Sequence, residues 1–289
     1  MNFLAILRKL FLGGTWYVGL RKLGEKNNKY LQVNTPKGQW IADPFLYEVD
    51  GKTYLFVEQY FTDKQRASIG VYDIVEGEAV NNRIIIENTY HMSYPCVFKY
   101  KGKHYMIPES SANSTIDLYV ATDFPNKWKH VKSLIKGVKY VDSTIFESED
   151  CLYLFTYKIQ INSCTLVVFS LDMNSLELKF ISEKYYKSNM GRPAGLFFNE
   201  NGHIIRPAQD CSKKYGESLI LYSVTDPKKG NYSEEKYRVI DANKSQYENK
   251  IDRIHTYNRS SLYEVIDVFK ERIDLLHGIK IIRRAYLKH

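Results

Sequence analysis

Cysteine is scarce in this chain. Its 289 residues include four, Cys96, Cys151, Cys164 and Cys211, and no pair forms a CxxC. That spacing offers no zinc site. No secretory leader with a small-residue cleavage site is visible. The cysteines are therefore expected as buried thiols in a reducing compartment, and the protein in the cytoplasm. Also missing is the run of ~20 apolar residues that a membrane-spanning helix needs. The nearest approach, MNFLAILRKLFLGG, is interrupted by Arg8 and Lys9. The 3-4 spacing of Phe3, Leu4, Ile6, Leu7, Leu10 and Phe11 predicts a short amphipathic helix over residues 1–14. Such a helix lies on a membrane or caps a domain. No nucleic-acid-binding motif is present, and no nucleic-acid partner is expected.

Aromatics and positive charge are plentiful. Tyrosine counts 24 and phenylalanine 14, a bias that favours strands and also suits sugar sites. Lys+Arg exceeds Asp+Glu by 41 − 33 = 8. That balance suits solubility, or an acidic partner such as a membrane surface or a phosphate-bearing donor. The basic residues gather near the ends, in LRKLGEKNNK and KIIRRAYLKH. Residues 272–289 read as a basic amphipathic helix for a membrane or a partner, or packed under the domain. The termini are thus candidates for peripheral contact with the inner face of a membrane. Nothing in the sequence sets the oligomeric state.

Four segments align without gaps over eleven positions: PFLYEVDGKTYLFVE, PCVFKYKGKHYMIPE, STIFESEDCLYLFTY and AGLFFNENGHIIRPA. They start at Pro44, Pro95, Ser143 and Ala194, separated by 51, 48 and 51 residues. The fourth position is always aromatic (Tyr47, Phe98, Phe146, Phe197), and the eighth is a turn residue (Gly51, Gly102, Asp150, Asn201). Each unit reads as strand, tight turn, strand. A third strand follows in each, with a second aromatic column at Tyr72, Tyr119, Phe169 and Tyr222. A period near 50 with several short strands is the signature of a β-propeller. A weaker fifth unit begins near RIHTYNRSSLYEVIDVF, and GTWYVGLRK is a spare N-terminal strand that could complete the last blade. The prediction is one all-β, five-bladed propeller over residues 15–271, with six blades as the alternative.

Propeller geometry gives the polar residues a place. Each first strand lies nearest the axis, and its N-terminal end opens on one face of the ring. Asp43, Tyr94, Asp142 and, one step earlier in blade four, Arg192 then sit at the mouth of an axial funnel. The second strands return to that mouth with Glu58, Glu109, Gln209 and Asp210, and the fifth unit brings His255 and Tyr257. An Asp before a strand is often only a turn cap. Asp43 and Asp142 share one repeat column, which favours a site over two separate caps. Arg192 and Arg206 suit either neutralisation of nearby acids or bidentate contacts to phosphate. No metal-ligand cluster is evident and no cofactor is expected, with a calcium or magnesium ion in the funnel left open.

The ordered motifs ADPF, SYPCVF, PES, VDSTIF, GRPAG, RPAQDCS, YG and the late HTY resemble the N-terminal domain of plant glucosamine inositolphosphorylceramide transferases and their bacterial relatives. The resemblance runs from about Trp16 to about Phe269. The separate glycosyltransferase domain of the plant proteins has no counterpart here, so transfer activity is not simply inherited. More distantly, the pattern is similar to the five-bladed arabinanase, levansucrase and invertase superfamily. That resemblance implies a base or nucleophile at Asp43 and an orienting carboxylate at Asp142. The general acid that the superfamily places near the start of blade four is missing, with Arg192 in its region.

Glycoside hydrolysis normally needs two carboxyls, one of them protonated. Glu109 or Glu58 would have to supply that acid from another blade. Transfer from a nucleotide sugar needs less: one base, Asp43, for the acceptor hydroxyl, and Arg192 and Arg206 for the departing phosphate. The expected function is therefore a glycosyltransferase-like protein of polysaccharide or glycolipid biosynthesis. Asp43, Asp142 and Glu109 are its catalytic candidates, and a sugar or nucleotide sugar its ligand. A glycosidase and a non-catalytic carbohydrate-binding propeller are the alternatives.

Overall fold

The computed structural model describes residues 12–24, 29–148, 151–159, 164–225, 232–242, 247 and 250–273. Strand β1 (Leu12–Lys22) and the short β2 (Leu31–Gln32) come first. Blade one is β3 (Gln39–Val49), β4 (Lys52–Phe61), β5 (Arg66–Val75) and β6 (Glu78–Ile86). Blade two is β7 (Ser93–Tyr100), β8 (Lys103–Ser110), β9 (Thr115–Asp123) and β10 (Lys127–Lys136). Blade three is β11 (Val141–Ser148), β12 (Cys151–Ile159), β13 (Cys164–Asp172) and β14 (Glu177–Tyr186). Blade four is β15 (Met190–Pro193), β16 (Phe198–Glu200), β17 (His203–Asp210), β18 (Ser218–Val224) and β19 (Glu234–Asp241). Blade five is β20 (Arg253–Arg259) and β21 (Tyr263–Ile273), completed by β1 and β2 in the order β2-β1-β21-β20.

The protein is thus a five-bladed β-propeller of antiparallel sheets, as the repeat predicts, each four-stranded except blade four, where β15 and β16 both pair with β17. The spare strand closes the ring, with β1 pairing β21 in unbroken register from Leu12↔Ile273 to Lys22↔Tyr263. Tight turns at Asp50–Gly51, Lys101–Gly102 and Asn201–Gly202 place both turn residues at positive φ, the geometry of two-residue hairpins. The recurring aromatics join neighbouring blades. The Tyr47 hydroxyl meets His104 Nδ1 at 2.9 Å, and the Phe146 and Phe197 rings lie 4.7 Å apart. Burying each such ring contributes roughly 1.5–3 kcal/mol. The core is therefore a set of apolar seams between blades rather than a single centre.

Two expectations need correction. Cys96 and Cys211 are buried, but Cys164 is half-buried and Cys151, the first residue of β12, is exposed. At the ends, β1 already includes residues 12–14, and β21 carries Arg272 and Ile273 into the segment expected to be helical. Ladder pairing extends the strands there. Residues 1–11 and 274–289, where the rest of both helices was expected, lie outside the described residues. No helix among the described residues is long and apolar enough to cross a membrane.

Candidate active site

Each blade's first strand carries an irregularity near its N-terminal end. Register shifts fall between Ala42 and Phe45, Ser93 and Cys96, Val141 and Thr144, Met190 and Arg192, and Ile254 and Tyr257. In the first three, Asp43, Tyr94 and Asp142 adopt left-handed φ angles of 47°, 47° and 52°. Such bulges re-aim a side chain, and left-handed backbone at non-glycine residues marks functional or constrained positions.

One group joins blades one and five. Asp43 is buried, and its Oδ1 accepts from Thr256 Oγ1 at 3.0 Å and lies 3.2 Å from His255 Nε2. His255 Nδ1 lies 2.8 Å from Asp267 Oδ1. Asp267 also accepts the backbone N–H groups of Asp43, His255 and Thr256 at 2.9, 3.2 and 2.8 Å. Burial favours a neutral imidazole, but the two flanking carboxylates override it and hold the His255 pKa well above its ordinary value. Beside this group, Glu58 pairs with His91 at 3.1 Å. Burial, helped by the Asp43 charge and opposed by His91, pushes the Glu58 pKa up to about 7.

A second group joins blades two, three and four. Arg192 forks onto Asp142, through Nε to one oxygen and through Nη2 to the other at 3.1 Å. Gln209 Nε2 donates to Asp142 Oδ2 at 2.7 Å. Glu109 Oε2 accepts from the Asp142 backbone N–H at 3.2 Å and lies 3.6 Å from Arg192 Nη2, while its Oε1 accepts from Ser111 at 2.7 Å. Burial and the Asp142 charge push the Glu109 pKa up to about 8, against the pull of Arg192.

Aromatic rings link and rim the two groups. Tyr215 stands 5.7 Å from the Arg192 guanidinium and 5.1 Å from the His255 ring, and Trp16 of β1 packs on His255 at 4.1 Å. Trp40 and Tyr60, paired across β3 and β4, stack at 4.5 Å.

The remaining candidates are placed elsewhere. Tyr94 is fully buried. Its ring packs on Phe45 at 4.7 Å, and its hydroxyl contacts Thr144 at 2.8 Å and accepts from the Gly195 N–H at 2.6 Å. It ties blades one to four together beneath the site. Arg206, 1% exposed, is turned into the seam between blades three and four, where Glu234 lies at 2.7 Å and Tyr186 at 3.1 Å. That cation holds the Glu234 pKa down at about 2. The Tyr257 hydroxyl donates to Glu264 at 3.2 Å. Asp210 accepts from the Ser212 N–H at 3.0 Å in the following loop.

Sequence reasoning missed Asp267, Thr256, His91, Trp16 and Tyr215. Asp267 carried a signal, as the lone acid of the apolar strand VIDVF; His91 sits in a connection with none. Asp43, His255 and Asp267 bring ligand atoms within 4.8 Å of one another, a grouping able to hold a cation. A metal ion there requires His255 to lose its proton, which the two flanking carboxylates help it to keep.

Fold and site together define a five-bladed β-propeller with buried carboxylates from several blades gathered near the starts of its first strands. Solved structures with this fold include the β-1,2-mannobiose phosphorylase of Listeria innocua, at TM-score 0.60 and 9% identity over 91% of this chain and 99% of that one. The Bombyx mori GH32 β-fructofuranosidase matches at TM-score 0.59 and 12% identity, over 88% of this chain and 56% of that one. The Cellvibrio cellulosa α-L-arabinanase matches at 0.51 and 14%, over 78% and 94%. The chain belongs to the family described as "Glucosamine inositolphosphorylceramide transferase 1, N-terminal", which matches residues 29–268. Glucosamine inositolphosphorylceramide transferase 1 of Oryza sativa is 30% identical over 205 residues, and that of Arabidopsis thaliana 30% over 211. Each match covers 68% of this chain but only 27% of the relative's length.

Proposed function

We propose that this protein transfers a sugar from a phosphate-linked donor, such as a nucleotide sugar, to a hydroxyl acceptor during glycolipid or polysaccharide assembly. The observation that carries the proposal is the division of the funnel's acids into two environments. Asp43 is set against a cationic imidazole, while Glu109 keeps its proton at neutral pH beside Asp142. Titratable groups separated in this way mark the base and acid of a reaction. The acceptor oxygen attacks the anomeric carbon and gives its proton to Asp43 Oδ2, which has no hydrogen bond among the described residues. The bond from the anomeric carbon to the leaving oxygen breaks, and the leaving group takes that electron pair. Glu109 can protonate the leaving oxygen, and Arg192, whose Nη1 has no partner among the described residues, offers an N–H to its phosphate. Arg206 has no part in this reading, because Glu234 takes its charge.

Family membership supports transfer in glycolipid synthesis, and the net charge of +8 supports an acceptor held at an acidic membrane surface. A protonated Glu109 would also serve hydrolysis, with water as the acceptor. Calorimetric titration with UDP-, GDP- and CMP-sugars tests the donor site. Saturable binding that Arg192→Ala removes, and Asp43→Asn retains without turnover, is expected. Failure of every nucleotide sugar to bind, alongside binding or cleavage of free oligosaccharides, would reject the donor reading in favour of the glycosidase or lectin alternatives.

A further inference from the structure

At the turn ends of blades four and five, away from the funnel, a cavity of about 480 Å³ opens between β1, β19 and β20 and the Leu23–Gly24 turn. His255 stands near one end of β20 and Arg259 closes the other. Four residues of strand put about 13 Å between them. Three guanidiniums, Arg21, Arg238 and Arg259, line this cavity with two carboxylates, Glu200 and Glu264.

The two acids are used very differently. Glu264 is saturated: Arg21 reaches it at 2.6 Å, and the Tyr30 and Tyr257 hydroxyls donate to it at 2.9 and 3.2 Å. Among the described residues, Glu200 serves both other arginines, Arg259 at 3.2 Å and Arg238 at 3.4 Å. Among the described residues two cations thus converge on one anion, an excess of positive charge beside the cavity. Arg259 is held by Phe198, 4.9 Å beneath its guanidinium, and is 22% exposed, while Arg238 is 49% exposed. One fork is fixed and the other can turn towards a ligand. Tyr30 and Tyr257 supply aromatic wall, and the cavity is far larger than one phosphate ion.

We propose that this seam is a second binding site, for a phosphate monoester whose anion bridges Arg238 and Arg259. The ligand is either a small soluble phosphate ester or a lipid headgroup of the same chemistry, and the site is separate from the funnel.

The test is calorimetry of the full chain with inorganic phosphate and with glucose 6-phosphate. It is paired with sedimentation on phosphatidylcholine vesicles with and without phosphatidic acid. Saturable phosphate binding is expected, weakened about tenfold or more in Arg238→Gln/Arg259→Gln as the bidentate contacts go. Arg192→Ala, which removes the funnel's phosphate contact, should leave it unchanged. Glu200→Gln, which removes the competing carboxylate, should tighten it several-fold by the same charge argument. That variant decides the matter if the double arginine variant does not fold. Stronger retention on phosphatidic acid vesicles than the soluble esters predict assigns a headgroup, and equal affinity assigns a soluble ester. Absence of saturable binding, loss of binding in Arg192→Ala, or no tightening in Glu200→Gln overturns the proposal.

Discussion

At neutral pH Glu109 keeps its proton because burial and the Asp142 carboxylate both disfavour a second negative charge. The unfolded chain releases that proton above the ordinary value of 4.5, whereas the folded chain holds it to about 8. The native state thus binds the extra proton across that window, so this group's contribution to stability falls as pH rises through it. Glu109→Gln keeps the shape and removes the titration. The melting temperature of the variant should exceed that of the wild type increasingly between pH 5 and pH 8. The difference is a few kcal/mol at most, because each tenfold change in proton affinity is worth about 1.4 kcal/mol. Parallel melting curves at both pH values would show that Glu109 is ionised throughout. Arg206 calls for the opposite experiment. Its partner Glu234 is buried beside it, and removing one member of such a pair costs roughly 3–5 kcal/mol. Arg206→Ala should lower urea stability by that amount and leave funnel-ligand affinity intact, whereas Arg192→Ala, which leaves the buried Asp142 without its cation, should lower both. The placement of Arg206 was legible in strand parity. Gln209 reaches Asp142, and Arg206 lies an odd number of residues away, on the opposite face of β17. Grouping the two by polarity and nearness in sequence ignores that alternation.

Among the elements, the first strands show what the repeat could and could not reveal. The 50-residue period revealed the strand order, the tight turns and the column of Asp43, Tyr94 and Asp142, because those depend on neighbouring residues; the bulges at that column came only with the structure. It could not show that blade two uses the column for a buried Tyr94 while blades one and three use it for acids, because the difference lies in contacts to Thr144 and Gly195 far along the chain. Blade four departs further. Its first strand breaks into β15 and β16, and Gly195 in the gap has φ +142°. A Cβ there would lie 2.0 Å from the Tyr257 carbonyl oxygen, a contact with backbone that no rotamer relieves. Gly102 also has positive φ, at +78°, but a Cβ there meets nothing within 4 Å. Gly102→Ala should therefore cost only local strain, roughly 1 kcal/mol. Gly195→Ala should cost several times more, because strain adds to a clash that separates blade four from blade five. Equal stabilities by denaturant titration would mean that blade four can shift without cost.

For the whole molecule, the consequence of ring closure is that no blade owns the site. Asp43 and Glu58 come from blade one, Glu109 from blade two, Asp142 from blade three, Arg192 and Gln209 from blade four, and His255 and Asp267 from blade five. The strand that seals the ring contributes no acid, only Trp16 against His255 and the ladder that holds β21, where Asp267 resides. Asp267 in turn fixes the backbone of Asp43 across the join between first and last blades. Sequence alone could offer β1 as a spare strand, but the link from β1 through Asp267 to Asp43 spans 224 residues between the two acids and has no local signal. A chain lacking residues 1–22 keeps every acid of the site and leaves β21 with an open edge. It should lose the single cooperative melting transition of the closed ring and any rise in melting temperature given by a funnel ligand, which is about 2.7 kcal/mol of stabilisation at a hundred times its dissociation constant. A synthetic peptide spanning residues 12–24, added in trans, should restore both by pairing with β21. Ligand-dependent stabilisation that survives removal of β1 without the peptide would mean that the site is assembled by the other blades alone.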